Sequence, residues 1–187
     1  MTEAEGQVST EQLDAEREAR RRLALAQIRQ YPDAALRLRA KPVDEIDDDL
    51  RKLIERMTQL MHDAAGVGLA ATQVGILRRL FVFQPEDDVD AAIVNPEIVA
   101  RRDETDVADE GCLSLQGVTV PVERSVAVTL VGTNEQGEDV RYELEDIHAR
   151  IAQHELDHLD GVLIIDRTTP DARREALAAL RPRIVLS

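Results

Sequence analysis

The pentapeptide His154-Glu155-Leu156-Asp157-His158 constrains this chain more than any other stretch. Histidines four residues apart project side by side from a helix, where both imidazoles can hold one ion at about 2 Å from each nitrogen. The surrounding sequence predicts that helix over 146–159, with Ile147, Ile151, His154 and His158 on one stripe and Gly161 as the terminating C′ glycine. Glu155 adjoins the first histidine, within reach of water at such an ion. A divalent ion lowers the pKa of that water towards ~7, and a neighbouring carboxylate can take its proton as the oxygen attacks a carbonyl. Taken alone the pentapeptide also fits a zinc endopeptidase of the HExxH type, or a histidine pair that merely braces a helix.

Other segments place this helix late in an α+β chain. A charged leading helix is expected over 10–29 and an amphipathic helix from Asp44, as N-cap, to about Ala65, with Ile46, Leu50, Leu53, Ile54, Met57, Leu60 and Met61 at spacings of 3 to 4. Strand-like runs follow at 79–83, 91–94, 97–101 and 117–122, then at 127–131 and 140–144 around a turn at Asn134-Glu135-Gln136-Gly137. After the histidine helix, 162–165 reads as a short strand and 171–180 as a terminal helix. The expected fold is therefore antiparallel or mixed sheets packed around a central helix, with one helix at each end.

A site with two histidines needs further donors. His62 reads as a surface residue and His148 as a residue near a helix start. Cys112 lies in Asp109-Glu110-Gly111-Cys112-Leu113-Ser114, which reads as a turn between strands. A lone cysteine is commonly a small buried hydrophobe, but polar flanks and a preceding glycine favour a third ligand, leaving a fourth position for water. The run Gly66 to Gly75 has the glycine content of a phosphate loop without its lysine or spacing. Backbone at Gly68 and Leu69 can instead pair with an extended substrate, and Gln73 can either brace the loop or donate an N–H to a developing oxyanion.

Three motifs in order now stand together: Gly66-Val67-Gly68-Leu69-Ala70-Ala71-Thr72-Gln73, Glu110-Gly111-Cys112-Leu113-Ser114, and Gln153-His154-Glu155-Leu156-Asp157-His158-Leu159-Asp160-Gly161. With them the chain resembles the peptide deformylases, from about Gln30-Tyr31-Pro32-Asp33 to Asp166-Arg167. Many members have Pro where Thr72 stands. The resemblance implies that Cys112, His154 and His158 bind the metal, that Glu155 is the general base, and that Gln73 and the N–H of Leu113 hold the oxyanion. It also implies an N-formylmethionyl peptide as substrate, extended along Gly68 and the strand from Gly117 to Val120, and formate as product. Val67, Ile147 and Ile151 serve either as walls of a methionine pocket or as plain core, and Glu110 with Arg150 as a buried brace or as separate surface charges. Family members use Fe(II), with Zn(II), Ni(II) or Co(II) as substitutes; a thiolate beside two imidazoles accepts them all. The rivals are the HExxH peptidase, although no His follows His158, and a catalytically silent relative that only binds peptide termini.

Composition narrows partners and location. A net charge of -14 disfavours non-specific contact with nucleic acid or anionic membrane. No tryptophan, two Tyr and two Phe leave no platform for stacking bases, so sequence-specific nucleic-acid binding is not expected. The first 22 residues mix acids and bases without an apolar stretch, and no run suffices for a membrane span. With a single cysteine this suits the cytoplasm. Residues 1–25 are expected as a charged, partly helical or flexible extension, and 26–187 as one catalytic metallohydrolase domain. Arg173, Arg174, Arg181 and Arg183 leave room for transient docking on the ribosome.

Overall fold

Strand β2 (Leu80–Glu86) is buried on both faces over its first four residues, and the fold is layered around it. Leu80 and Val82 point to one apolar cluster and Phe81 and Phe83 to another, as the twofold alternation of a strand demands. In the computed structural model, which describes residues 10–181, β2 lies between β1 (Gly68–Ala70) and β3 (Val89–Arg101). β6 (Ala127–Thr133) and β7 (Asp139–Glu145) extend this antiparallel sheet in the order β1-β2-β3-β6-β7. β4 (Thr105–Gly111) and β5 (Thr119–Ser125) form a second sheet of two strands. The few aromatic rings are concentrated on one face, Phe81 meeting Phe83 edge-on at 5.2 Å and Phe83 meeting Tyr142 at 5.5 Å. Burying each such ring is worth about 1.5–3 kcal/mol.

Helix α3 (Asp146–Leu159) packs on β1, β2, β6 and β7 on one side and on β5 of the small sheet on the other, which makes it the expected central helix. Its end is a Schellman motif, with Gly161 N–H on His158 O, Val162 N–H on Asp157 O, and Gly161 at φ 75°. Helix α2 (Asp48–Asp63) covers the opposite face of the large sheet together with the last turn of α1 (Thr10–Leu25). Residues 12–23 of α1 are exposed, whereas Ala24, Leu25 and the following Ile28 are buried. Helix α4 (Pro170–Ala179) closes the third cluster beneath the small sheet.

Several local expectations are corrected. The N-cap of α2 is Asp47, whose side chain accepts from Leu50 N–H at 2.7 Å, not Asp44. Asn95 holds both Val43 N–H and Val43 O at 2.8 Å, so the chain stays extended and turns into a helix only beyond Ile46. Residues 91–101 form one strand rather than two, and the register slips between Val94 and Glu97, where Asn95 has φ 51°. The expected strand at 162–165 is a 3-10 turn over Ile164–Asp166, because the Asp166 carboxylate accepts from Leu163 N–H at 2.9 Å and closes the chain on itself. The supposed turn from Asp109 begins inside β4, a strand with no sequence signature. The leading helix stops at Leu25 rather than 29, and α4 starts one residue early at Pro170. The turn at Asn134 to Gly137 is as expected, with Asn134 Oδ1 accepting from Gln136 and Glu138 N–H.

Candidate metal centre

Two elements converge on one point. Helix α3 supplies His154 and His158 one turn apart, and Cys112 follows the last residue of β4. The Cys112 Sγ is 3.2 Å from His158 Nε2, which is 3.2 Å from His154 Nε2. A tetrahedral ion at ordinary Zn–N and Zn–S lengths separates its donors by about 3.3–3.6 Å, so the set fits one divalent ion with small adjustments. These are the sole three-donor group of His, Cys, Asp and Glu among the described residues. His62 lies elsewhere, exposed and bonded to Asp90 at 2.6 Å, and His148 is near the start of α3 with Nδ1 on Gln84 O.

The ring of His154 is aimed by Glu110, whose Oε2 is 3.0 Å from Nδ1. A carboxylate on the outer ring nitrogen fixes the tautomer and leaves Nε2 for an ion. Glu110 is itself clamped by Arg124 through two bonds of 2.9 Å and by Arg150 Nη1 at 2.9 Å, so the expected Glu110–Arg150 pair exists within a larger buried cluster. Burial pushes the Glu110 carboxyl up, but Arg124 and the His154 ring outweigh it and hold the group far below the carboxylate range. Arg124 also reaches Asp157 at 2.5 Å, and Arg167 binds Asp157 at 2.7 Å, tying the helix between its two histidines to the small sheet. Burial and the charge on His154 press the His158 imidazole well below its ordinary value. For His154 burial also lowers, yet Cys112 and Glu110 more than offset it and hold the imidazole well above its ordinary value.

Glu155 turns to the other side of the site, beneath Gly68. It is 4% exposed, and its Oε2 is buried with no hydrogen-bond partner among the described residues. Burial raises its pKa to about 7, against the opposing pull of His154. Gln73 is held by Ala70 N–H, which donates to its Oε1 at 2.9 Å, so that Nε2 faces Ser114 Oγ at 3.1 Å and Cys112 Sγ at 3.7 Å. Leu113 O accepts from the Gln30 amide at 2.9 Å, whereas Leu113 N–H has no acceptor among the described residues.

A cleft of about 690 Å³ opens over these groups and is lined by Val67, Gly68, Gln73, Cys112, Leu113, Gly117, Ile147, Ile151, His154 and Glu155 among others. It thus gathers Val67, Gly68, Gly117, Ile147 and Ile151, whereas Leu69 and Val120 are buried behind it. Ile151 is 7% exposed and lies deep, but Val67 and Ile147, at 48% and 55%, form an open rim rather than the walls of a closed pocket. β1 is an edge strand, paired among the described residues only with β2. Its unpaired side, together with the free edges of the small sheet, offers backbone to an extended peptide.

Sequence reasoning missed Arg124, the Asp157 bridge and Ser114. A signal for the first existed: Val120, Val122 and Arg124 fall on one buried face of β5, and a charge continuing a buried alternation demands a buried partner.

The family model for polypeptide deformylase matches residues 25–174. A peptide deformylase of Thermotoga sp. (strain RQ2) is 51% identical over 78% of this chain and 88% of its own length. The crystal structure of the Thermotoga maritima peptide deformylase has 50% identity and a TM-score of 0.74, covering 76% of this chain and 97% of that one. That of the Synechococcus elongatus enzyme in complex with actinonin has 39% identity and a TM-score of 0.78, over 81% and 85%. Matches of this length run through both sheets and all three site segments, and on them the chain belongs to the polypeptide deformylase family.

Proposed function

We propose that the protein hydrolyses the N-formyl group from the formyl-methionine end of nascent polypeptides and releases formate. The observation that carries this is the meeting of Cys112, His154 and His158 beside a buried, half-unpartnered Glu155 and a fixed Gln73 amide, at the base of a cleft with free backbone edges. A divalent ion held by the three donors would supply Lewis acidity, polarising the formyl carbonyl and lowering the pKa of water beside it.

The remaining work falls to the chain. Glu155 takes a proton from water as its oxygen bonds to the formyl carbon, and passes that proton to the amide nitrogen as the C–N bond breaks. Gln73 Nε2 and Leu113 N–H donate to the oxygen on which negative charge develops. The peptide extends past Gly68 and Gly117 to Val120, with the methionine side chain over Ile151 between the rims of Val67 and Ile147. Fe(II) is the proposed ion in the cell, supported by the family resemblance; the sulfur and nitrogen donors also accept Zn(II), Ni(II) or Co(II). No helix among the described residues is long and apolar enough to cross a membrane, and we place the enzyme in the cytoplasm, where nascent chains are made. Contact with the ribosome would be transient: Arg173 is bonded to Asp166 and Arg174 to Asp171, and Arg183 lies outside the described residues.

The test is formate release from formyl-Met tripeptides by protein loaded anaerobically with each metal, beside casein cleavage. Formate without casein cleavage is expected. Casein cleavage without formate would move the chain to the peptidases, and neither activity would make it a silent binder.

A further inference from the structure

The family match begins at residue 25, and the helix before it has no part in the chemistry above. Yet Arg21 of α1 lines the catalytic cleft together with Leu25, one helical turn later. Arg21 is exposed and makes no hydrogen bond or ion pair among the described residues. The other charges of the cleft are mostly engaged: Glu110 and Arg150 are buried and paired with each other, and Glu155 is sealed at the base. Only Asp109, exposed on β4, is comparably unpaired.

We infer that Arg21 forms a subsite for a carboxylate on the substrate peptide downstream of the formyl-methionine, so that the leading helix sets a preference among nascent chains. This rests on the deformylase reading, because that reading fixes which end of the peptide lies at the metal donors. The rest of the peptide must leave through the cleft mouth, where a guanidinium fork matches a carboxylate in two parallel hydrogen bonds. Asp109 repels the same carboxylate, so the preferred position is one that brings it to the α1 side. A net charge of -14 repels acidic peptides at long range, and any preference for them has to arise locally.

The experiment measures kcat and KM of the metal-loaded full chain on formyl-Met peptides carrying Glu, Gln or Lys in turn at the second, third and fourth residues. At one position, Glu should exceed Gln by about fivefold in kcat/KM at low salt, through KM, and the advantage should shrink in high salt. Arg21→Ala should abolish the ratio and Arg21→Glu should invert it towards Lys. Arg20→Glu makes the same change in net charge as Arg21→Glu at a residue outside the catalytic cleft, on a neighbouring groove that Arg21 also borders, so it should leave the Glu-to-Gln ratio intact. A ratio unmoved in both Arg21 variants, or moved equally by Arg20→Glu, would overturn the subsite while formate release upheld the activity. Absence of formate from every peptide would instead overturn the deformylase reading, and the subsite with it.

Discussion

Replacing Gly68 by Ala tests the placement of Glu155, the proposed general base, without touching it. A Cβ built on Gly68 would sit 2.4 Å from Glu155 Oε1, 2.8 Å from Cδ and 2.9 Å from Cγ. The first of these is about 1 Å short of ordinary van der Waals contact, so the carboxylate must move by roughly that amount. It has little freedom to do so, since Glu155 is 4% exposed and α3 is packed between two sheets. Displacing a reacting group by 1 Å costs on the order of 10²-fold in rate, and overpacking a buried site costs about 1–3 kcal/mol of stability. Gly68→Ala should therefore lower kcat for formate release about a hundredfold. It should melt a few degrees lower, and it should still bind one metal ion with an unaltered cobalt spectrum, because the ligand atoms do not move. Metal content, cobalt absorption and steady-state formate release on one preparation suffice. A variant that melts as expected and keeps kcat within a few-fold of the parent would show that the position of Glu155 does not limit proton transfer. Loss of activity entirely through KM would show that the methyl group obstructs the peptide instead.

Three further outcomes follow from the same geometry. Cys112→Ser removes the soft donor at 3.2 Å from His158, so metal affinity should fall and the thiolate-to-cobalt band should vanish; an unchanged band would remove Cys112 from the ligands. Arg124→Gln leaves Glu110 with Arg150 as its one arginine beside His154 and frees Asp157 from the small sheet; chelator competition should show metal affinity about 10- to 100-fold weaker, and urea unfolding a loss of about 3–5 kcal/mol. Burial raises the Asp166 carboxyl, but bonds from Arg37, Leu163 N–H and Arg173 outweigh it and hold it below its ordinary value. A folded pKa depressed in this way contributes stability that is present above the unfolded value of about 4 and is lost as pH falls through the folded value. Asp166→Asn should accordingly unfold more easily at neutral pH and lose less on acidification below about pH 4, as read by denaturant midpoints across pH.

What the sequence made legible was whatever follows from the geometry of a single element. A spacing of four on a helix puts His154 and His158 side by side whatever surrounds them, and the Schellman glycine at 161 and the turn at Asn134 to Gly137 are equally local. The central position of α3 was legible because its apolar stripe and its histidines both need cover. The least legible element was β4, whose Thr-Asp-Val-Ala-Asp-Glu-Gly has almost no strand propensity and is held by an unbroken seven-position ladder to β5 and by Arg150 of α3 on Asp106 O and Glu110. That gap matters chemically, because β4 carries Glu110 inward and delivers Cys112 at its end. A turn in its place would have left the buried carboxylate, and with it the aim of His154, without a rigid support. The partners of Arg124 were hidden for the same reason, since it sits opposite Asp106 in this ladder while Glu110 and Asp157 are supplied by two other elements. Asp44 and 162–165 failed differently: there a sound local signal lost to side-chain bonds from Asn95 and Asp166. The proposed ligands are thus a property of one helix and one cysteine, but their orientation is a property of the pairing between β4 and β5. A substitution that loosens that ladder far from the metal, at Thr105 or Val107 for example, should therefore act on metal affinity through Glu110 before it acts on the fold.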